Sequence, residues 1–245
     1  MTFTLPPIQA PTDEEVKQWT TAKWKAQESA LLSGLHPAIM AITIPTMFFA
    51  IPMQEVKEKW LPVFDGKNDG EACTRQVECG RRALAEFPDG VFFKLDSRSP
   101  KDSDIGKYTA ENLDQLPNAF FGSERVFDDI CLQRHHRDRI VLCFRKWVEF
   151  GEEYRVFVKE RQIQGISRYD YLSASKVEHT PEVVAAVQGQ AEGYLATINE
   201  HYPPSDYVFD IGHTPDGPVM IEINPYGLSD PCLFGSYANI RGFVA

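Results

Sequence analysis

The chain has 245 residues, a net charge of −10 and a pI near 5.1; its length allows one core or two small ones, and its acidity argues against DNA or an anionic membrane as the default partner. Hydrophobic residues make up 43% and charged residues 24%, which excludes a disordered composition. Five cysteines (Cys73, Cys79, Cys131, Cys143, Cys232) form no C-x-x-C pair, a pattern expected of reduced thiols in a cytosolic protein.

The first residues, MTFTLPPIQAPTDEE, lack the basic and apolar regions of a secretory signal. Residues 1–11 are proline-rich and expected as an extended arm. From Thr12, TDEEVKQWTTAKWKAQESALL predicts a helix whose acidic first turn suits the helix dipole. Trp19 and Trp24 are spaced for two faces of that helix. The most apolar stretch, 37–53, is shorter than the ~20 residues that span a bilayer, and Pro45 and Pro52 interrupt it. It reads as buried core or as the wall of a cleft. Helices are expected over 54–61 and 72–86, the second stopped by Pro88-Asp89-Gly90.

VFFKL (91–95) then reads as a strand and SRSPKDSDIGK (97–107) as a polar loop. A helix is expected over 124–137 and a strand over VLCFRKWVEF (141–150). Beyond Gly151-Glu152, EYRVFVKE and QIQGISRY predict a hairpin with Arg161 near its tip. Residues 181–201 predict a helix with Pro181 in its first turn. YVFDIGH and VMIEINPY predict a second hairpin across TPDGP. Two strand pairs, each with a helix, imply an α+β protein with largely antiparallel sheets.

The last hairpin carries the sharpest chemistry. Asp210 lies on its first strand, Glu222 and Asn224 on its second. Strand side chains alternate, so Glu222 and Asn224 share a face while Ile221 and Ile223 point the other way. A ladder across the turn can bring Asp210 alongside. Such an oxygen set suits Mg²⁺, which takes one or two carboxylates plus phosphate oxygens and water. A solvated strand face is the other reading of the same alternation.

Upstream, Lys94 ends a strand, Arg98 and Lys101 follow in the polar loop, and Arg145 and Lys146 lie in FRKW. Arg155 sits opposite the face shared by Tyr154, Val156 and Val158. Singly each is a surface charge; together they are the cations a phosphate site needs. No Walker-type loop, G-x-G-x-x-G or G-x-S-x-G occurs, so neither a P-loop enzyme, a Rossmann dehydrogenase nor a serine hydrolase is indicated. His135-His136, within QRHHRDR, reads as a solvated helix end.

These blocks resemble the cell-division-cycle protein 123 family, a divergent branch of the ATP-grasp superfamily, over about residues 91–235. FFKLDSRSPKD is similar to that family's KLNWSAPKD. FRKWVEFGEEYRVFVKERQIQGISRYDY resembles its LRKW, EFRVFVK and GISQRDY, and YVFDIG with VMIEINPYG resembles its FVFDIY and LIDFNPFG. The resemblance implies an ATP-grasp-like α+β fold, with two lobes of largely antiparallel sheet clamping a nucleotide. Residues 1–90 would form a helical N-terminal region or cap, and 91–245 the nucleotide-binding core.

By that resemblance ATP and Mg²⁺ are the cofactors, with Asp210, Glu222 and Asn224 as metal ligands. Lys94 would contact phosphate, with Arg98 and Lys101 beside it. Arg145, Lys146, Trp147 and Val148 match a hinge whose backbone holds adenine. Glu153 would bind ribose, and Arg155 would reach the phosphates. The arginine of ISQRDY is displaced to Arg168, which joins Arg155 as a candidate catalytic group. Two functions follow. One is ligase-like chemistry, in which an amine attacks an acyl phosphate. The other is an assembly factor for translation initiation factor two, docking on its gamma subunit, with ATP stabilising a closed state. The second substrate or protein partner is left unnamed; neither membrane nor nucleic acid is expected.

Overall fold

Eight strands form two sheets among the residues described by the structure, a computed structural model: 12–67, 70–102, 106–169 and 179–244. β1 (Thr46–Pro52), β2 (Val91–Leu95) and β3 (Arg139–Lys146) make a three-stranded antiparallel sheet in the order β1–β3–β2. β4 (Glu153–Lys159), β5 (Gln162–Arg168), β6 (Tyr207–Thr214), β7 (Gly217–Pro225) and β8 (Gly242–Val244) make the second, ordered β7–β6–β4–β5–β8. Among the pairings of these eight strands β5–β8 alone is parallel. The helices are α1 (Asp13–Glu28), α2 (Pro37–Met40), α3 (Met53–Glu55), α4 (Leu61–Phe64), α5 (Gly70–Glu86), α6 (Leu116–Phe121), α7 (Glu124–Gln133) and α8 (Pro181–His201). This is the α+β arrangement with largely antiparallel sheets expected from the sequence.

β3 explains why the two sheets pack as they do. Alternate side chains of a strand face opposite ways, and a strand buried on both faces reads as a continuous apolar run. Ile140, Leu142 and Phe144 enter a core with Phe93, Trp60 and Phe120. Val141 and Cys143 enter another, with Leu32, Ile39, Tyr154, Val156, Phe209 and Val187 of α8. RIVLCFRK therefore serves both lobes. β3 stops at Lys146, short of the strand expected to residue 150. There the Lys146 N–H donates to the Pro45 carbonyl, the Trp147 N–H donates to the Gly90 carbonyl, and the chain crosses to β4.

The apolar stretch 37–53 divides between the two roles expected of it. Ile39 of α2 is core, Ile44 lines the cleft between the sheets, and Thr46–Pro52 become β1. β1 precedes residue 90 and β3 follows it, so the first sheet spans that position. The region before residue 90 thus contributes a strand as well as helices.

α1 starts with a capping box: the Thr12 hydroxyl accepts from the Glu15 N–H at 3.3 Å, and the Glu15 carboxylate accepts from the Thr12 N–H at 2.8 Å. It buries Trp24 alone; Trp19 stays 70% exposed, so one face packs where two were expected. Trp24 stacks on His136, whose Nε2 lies 2.8 Å from the Thr20 hydroxyl. The His135-His136 pair is therefore a docking point for α1 and not a solvated helix end. Burial pushes both imidazoles below their ordinary pKa.

The β4–β5 turn is made by Glu160 and Arg161, both at positive φ (51° and 62°), the geometry a two-residue hairpin needs. Asn-Gly would meet that demand without strain; here neighbours hold the turn. Glu160 N–H donates to Asp206 at 2.9 Å and Arg161 N–H to the Ser205 carbonyl at 2.9 Å. The Arg161 guanidinium donates to the Asn199 carbonyl at 2.6 Å. No disulfide joins any of the five cysteines among the described residues. The extended arm expected over 1–11 lies outside the described residues, as do 103–105 of the polar loop.

Candidate functional site

A cleft of about 260 Å³ opens between the sheets. Its polar wall begins on the β6–β7 hairpin, where Asp210 and Glu222 are directly opposed in register. A β-bulge follows at once: Asp210 pairs with Glu222 but Ile211 pairs with Met220, so β7 carries one extra residue, Ile221. Alternation is broken there. Ile221, expected to point away from the carboxylates, lines the cleft beside Glu222 instead. Ile223 keeps its expected place in the core. The Asn224 amide donates to Asp210 at 3.3 Å and to Glu222 at 3.5 Å, so all three oxygen-bearing side chains converge.

Cations meet these carboxylates from both sheets. Lys94, on β2, is 4% exposed and its Nζ donates to Glu222 Oε2 at 2.5 Å. Arg145, at the end of β3, donates from Nη2 to the Ile221 carbonyl at 2.6 Å. Both contacts cross from the first sheet to the second. Burial alone would raise the Glu222 carboxyl, but the charge and hydrogen bond of Lys94, with Lys101 and Arg145 nearby, hold it well below the usual carboxylate range. Burial also lowers the Arg145 guanidinium, against the pull of Glu222.

Arg155 grips Asp210 with both arms, Nε to Oδ1 at 2.8 Å and Nη2 to Oδ2 at 2.8 Å, and donates to the Asp230 carbonyl at 3.2 Å. Burial opposes its charge, yet Asp210 raises its pKa further. Arg155 was expected to reach the phosphates; the structure puts it on Asp210 and off the cleft wall. Arg168 also leaves the cleft, because its Nε pairs with Glu152 Oε2 at 3.5 Å. Arg98, expected beside Lys101, turns into a separate groove between α1 and α7, lined also by Lys23, Gln27 and Asp129. Its physical reason is charge: the buried Asp129 carboxylate draws it there.

The cleft does gather Lys94, Lys101, Arg145, Lys146, Trp147, Val148, Glu153, Asp210 and Glu222 of the residues singled out in the sequence. Where the chain crosses from β3 to β4, the Lys146 and Trp147 N–H groups are taken by Pro45 and Gly90, while Val148 N–H has no partner among the described residues. The Trp147 indole Nε1 and Arg145 Nε are buried without hydrogen-bond partners. Ile44, Phe92, Phe150 and Ile221 supply apolar wall. Sequence reasoning missed Tyr169, at the end of β5. It lines the cleft, its hydroxyl accepts from Lys101 Nζ at 2.6 Å, and the Arg155 guanidinium stacks 4.2 Å from its ring centre. A lone tyrosine at a strand end carries no periodic signal; ISRYDY against the family's ISQRDY was the one hint.

The donor set fits a hard divalent cation that shares its shell with phosphate. Two carboxylates and an amide oxygen suffice for Mg²⁺ only if other oxygens complete the octahedron. Among the described residues no cluster of three or more His, Cys, Asp or Glu exists that could form an all-protein cage. No helix among them is long and apolar enough to cross a membrane.

A family model described as D123 matches residues 73–241. A Xenopus tropicalis protein named as a translation initiation factor eIF2 assembly protein is 34% identical over 98 residues, covering 38% of this chain and 29% of that protein. A Candida albicans protein of the same name is 25% identical over 173 residues, covering 62% of this chain and 49% of that protein. The aligned regions thus span less than half the length of these relatives. The structure of Cdc123 from Schizosaccharomyces pombe superposes with a TM-score of 0.70 at 18% identity, over 90% of this chain and 96% of that one, so the two share a fold.

Proposed function

The chain belongs to the D123 family, and from that premise we propose that it binds ATP with Mg²⁺ in the inter-sheet cleft and acts as an ATP-dependent assembly factor for an eIF2-type protein. The observation that carries the nucleotide half is the charge layout of the cleft. Lys94, Lys101, Arg145 and Lys146 line it with Glu153, Asp210 and Glu222, and Arg155 holds Asp210 from outside the wall, so cations outnumber carboxylates and the excess suits a phosphate chain that arrives with its metal. Asp210, Glu222 and Asn224 would hold Mg²⁺, which neutralises phosphate charge when bound. The free Val148 N–H is available to the adenine edge and Ile44 and Ile221 to its faces, and Glu153 on the same wall would meet the ribose.

Lys94 changes partner in this scheme. It neutralises Glu222 in the nucleotide-free protein and is released to phosphate oxygens when Glu222 takes the metal. The first and second sheets are then joined through the nucleotide in place of the direct Lys94–Glu222 pair. Such an exchange biases the relative placement of the lobes by differential contact, which is all a ligand needs to select a partner-binding state. The names of the curated relatives favour assembly over the ligase-like chemistry that the ATP-grasp resemblance first brings forward, and the cleft geometry gives no reason to prefer a ligase.

The test uses the full chain. ATP at about 100 times its dissociation constant adds about 2.7 kcal/mol of stability, a shift of about 5–11 °C at this size, and EDTA should remove most of it. Asp210→Ala should abolish the Mg²⁺-dependent part. Isolated eIF2 subunits should co-purify with the chain in ATP and Mg²⁺ without ADP release. Stoichiometric ADP formation with an acid and an amine would restore the ligase reading, and no shift with any nucleotide would remove both.

A further inference from the structure

We infer that Tyr169 and Lys101 together form an anion seat on the cleft wall, with the Tyr169 O–H as a hydrogen-bond donor to a phosphate oxygen of the bound nucleotide; this rests on the nucleotide reading above. An ammonium group has no lone pair, so in the 2.6 Å contact Lys101 must donate and the phenolic oxygen must accept. The phenolic hydrogen is thereby directed elsewhere. No acceptor for it lies among the described residues. Both side chains line the cleft, so two donors, one charged and one neutral, converge on the same space.

The surroundings prepare the phenol for this work. Arg155 stacks on the ring at 4.2 Å and Lys101 lies 4.7 Å from its centre. Two cations on one π-system withdraw electron density and make the O–H a better donor. Arg155 is itself fixed by its two bonds to Asp210, so the ring cannot drift without disturbing the carboxylate wall. The Tyr169 N–H donates to the Glu153 carbonyl at 2.8 Å, which extends the β4–β5 ladder and fixes the backbone. Asp210 and Glu222 line the same cleft as Lys101 and Tyr169 and act on the Lys101 charge, so the seat lies within reach of the carboxylate wall.

The seat also joins the two sheets. Lys101 follows β2 and Tyr169 follows β5, so an anion held by both would bridge the lobes beside the Lys94–Glu222 contact. The discriminating variant is Tyr169→Phe, which keeps the stacked ring and removes only the hydroxyl. Calorimetric titration of the full chain with Mg·ATP, inorganic triphosphate and adenosine should show about a tenfold or greater loss for the first two and none for adenosine. Its unliganded melting temperature should stay unchanged. Lys101→Met should lose affinity in the same pattern, and the double variant should lose less than the two singles combined. Equal losses for adenosine and ATP, or full affinity in Tyr169→Phe, overturn the seat while leaving the nucleotide site standing. Failure of the unaltered chain to bind ATP and triphosphate alike overturns both readings.

Discussion

Replacing Lys94 by Met tests the inter-sheet pair directly. Lys94 and Glu222 have side chains 5% and 21% exposed and meet at 2.5 Å, so neither charge can recover full hydration when the other is removed. Removing one partner of a buried pair costs about 3–5 kcal/mol. Lys101 and Arg145 remain near Glu222, so the lower end applies: about 3 kcal/mol, or a melting temperature lower by about 6–12 °C. Adding Glu222→Leu to Lys94→Met removes the stranded carboxylate, and most of the loss should return even though metal binding is gone. The pH dependence fixes the sign. Glu222 has a folded pKa below its ordinary 4.5, so its stabilisation is complete above that value and is lost as pH falls further. The deficit of Lys94→Met should therefore be full at pH 7 and shrink below about pH 4.5. Urea melts across that range, with nucleotide absent, measure it. A Lys94→Met protein within about 0.5 kcal/mol of the parent at pH 7, or a double variant no better than the single, would refute the reasoning.

Two further outcomes follow from packing and burial. In Gly212→Ala the added methyl would sit 2.3 Å from Phe150 Cδ1 and 3.1 Å from Ile221 Cδ1, so the Phe150 ring must move. About 1–3 kcal/mol of stability should be lost, and ATP affinity with it, both readable from melts with and without nucleotide. Burial raises the pKa of Asp129 against its bonds from Ser97, Gln27 and Gln133. A raised acid costs stability increasingly as pH climbs through its folded pKa, so the stability of Asp129→Asn relative to the parent should improve from about pH 4 to pH 8. A flat difference over that range would show the carboxylate to be adequately solvated.

What was legible in the sequence was what local periodicity encodes. The β4 alternation of Tyr154, Val156 and Val158 against Arg155 and Phe157, and the opposition of Asp210 to Glu222 across TPDGP, both follow from a two-residue repeat. Ile221 escaped because a bulge is a register event between two strands, and nothing in VMIEINPY announces it. Arg98 and Arg155 escaped for a different reason. Arg98 shares a groove with the buried Asp129 and Arg155 is bonded to Asp210, carboxylates 31 and 55 positions away in the chain, beyond the reach of any local pattern. β1 was hidden in a run whose apolar residues face both the core and the cleft, so no alternation marked it.

The order of strands in the first sheet bears on how the chain is made. β3 lies between β1 and β2 but is the last of the three to be translated. Until it emerges, β1 has only an unpaired edge, and β2 cannot serve as its neighbour. The interval is on the order of ninety residues, between about 5 and 18 s at about 5–20 residues per second. Through that time Phe48, Phe49 and Ile51 are exposed to other nascent chains, a condition that favours aggregation. A ribosome stalled anywhere before residue 139 would therefore release a fragment whose first lobe has helices and loose strands but no sheet. Protease protection of β1 should appear abruptly once β3 clears the exit tunnel.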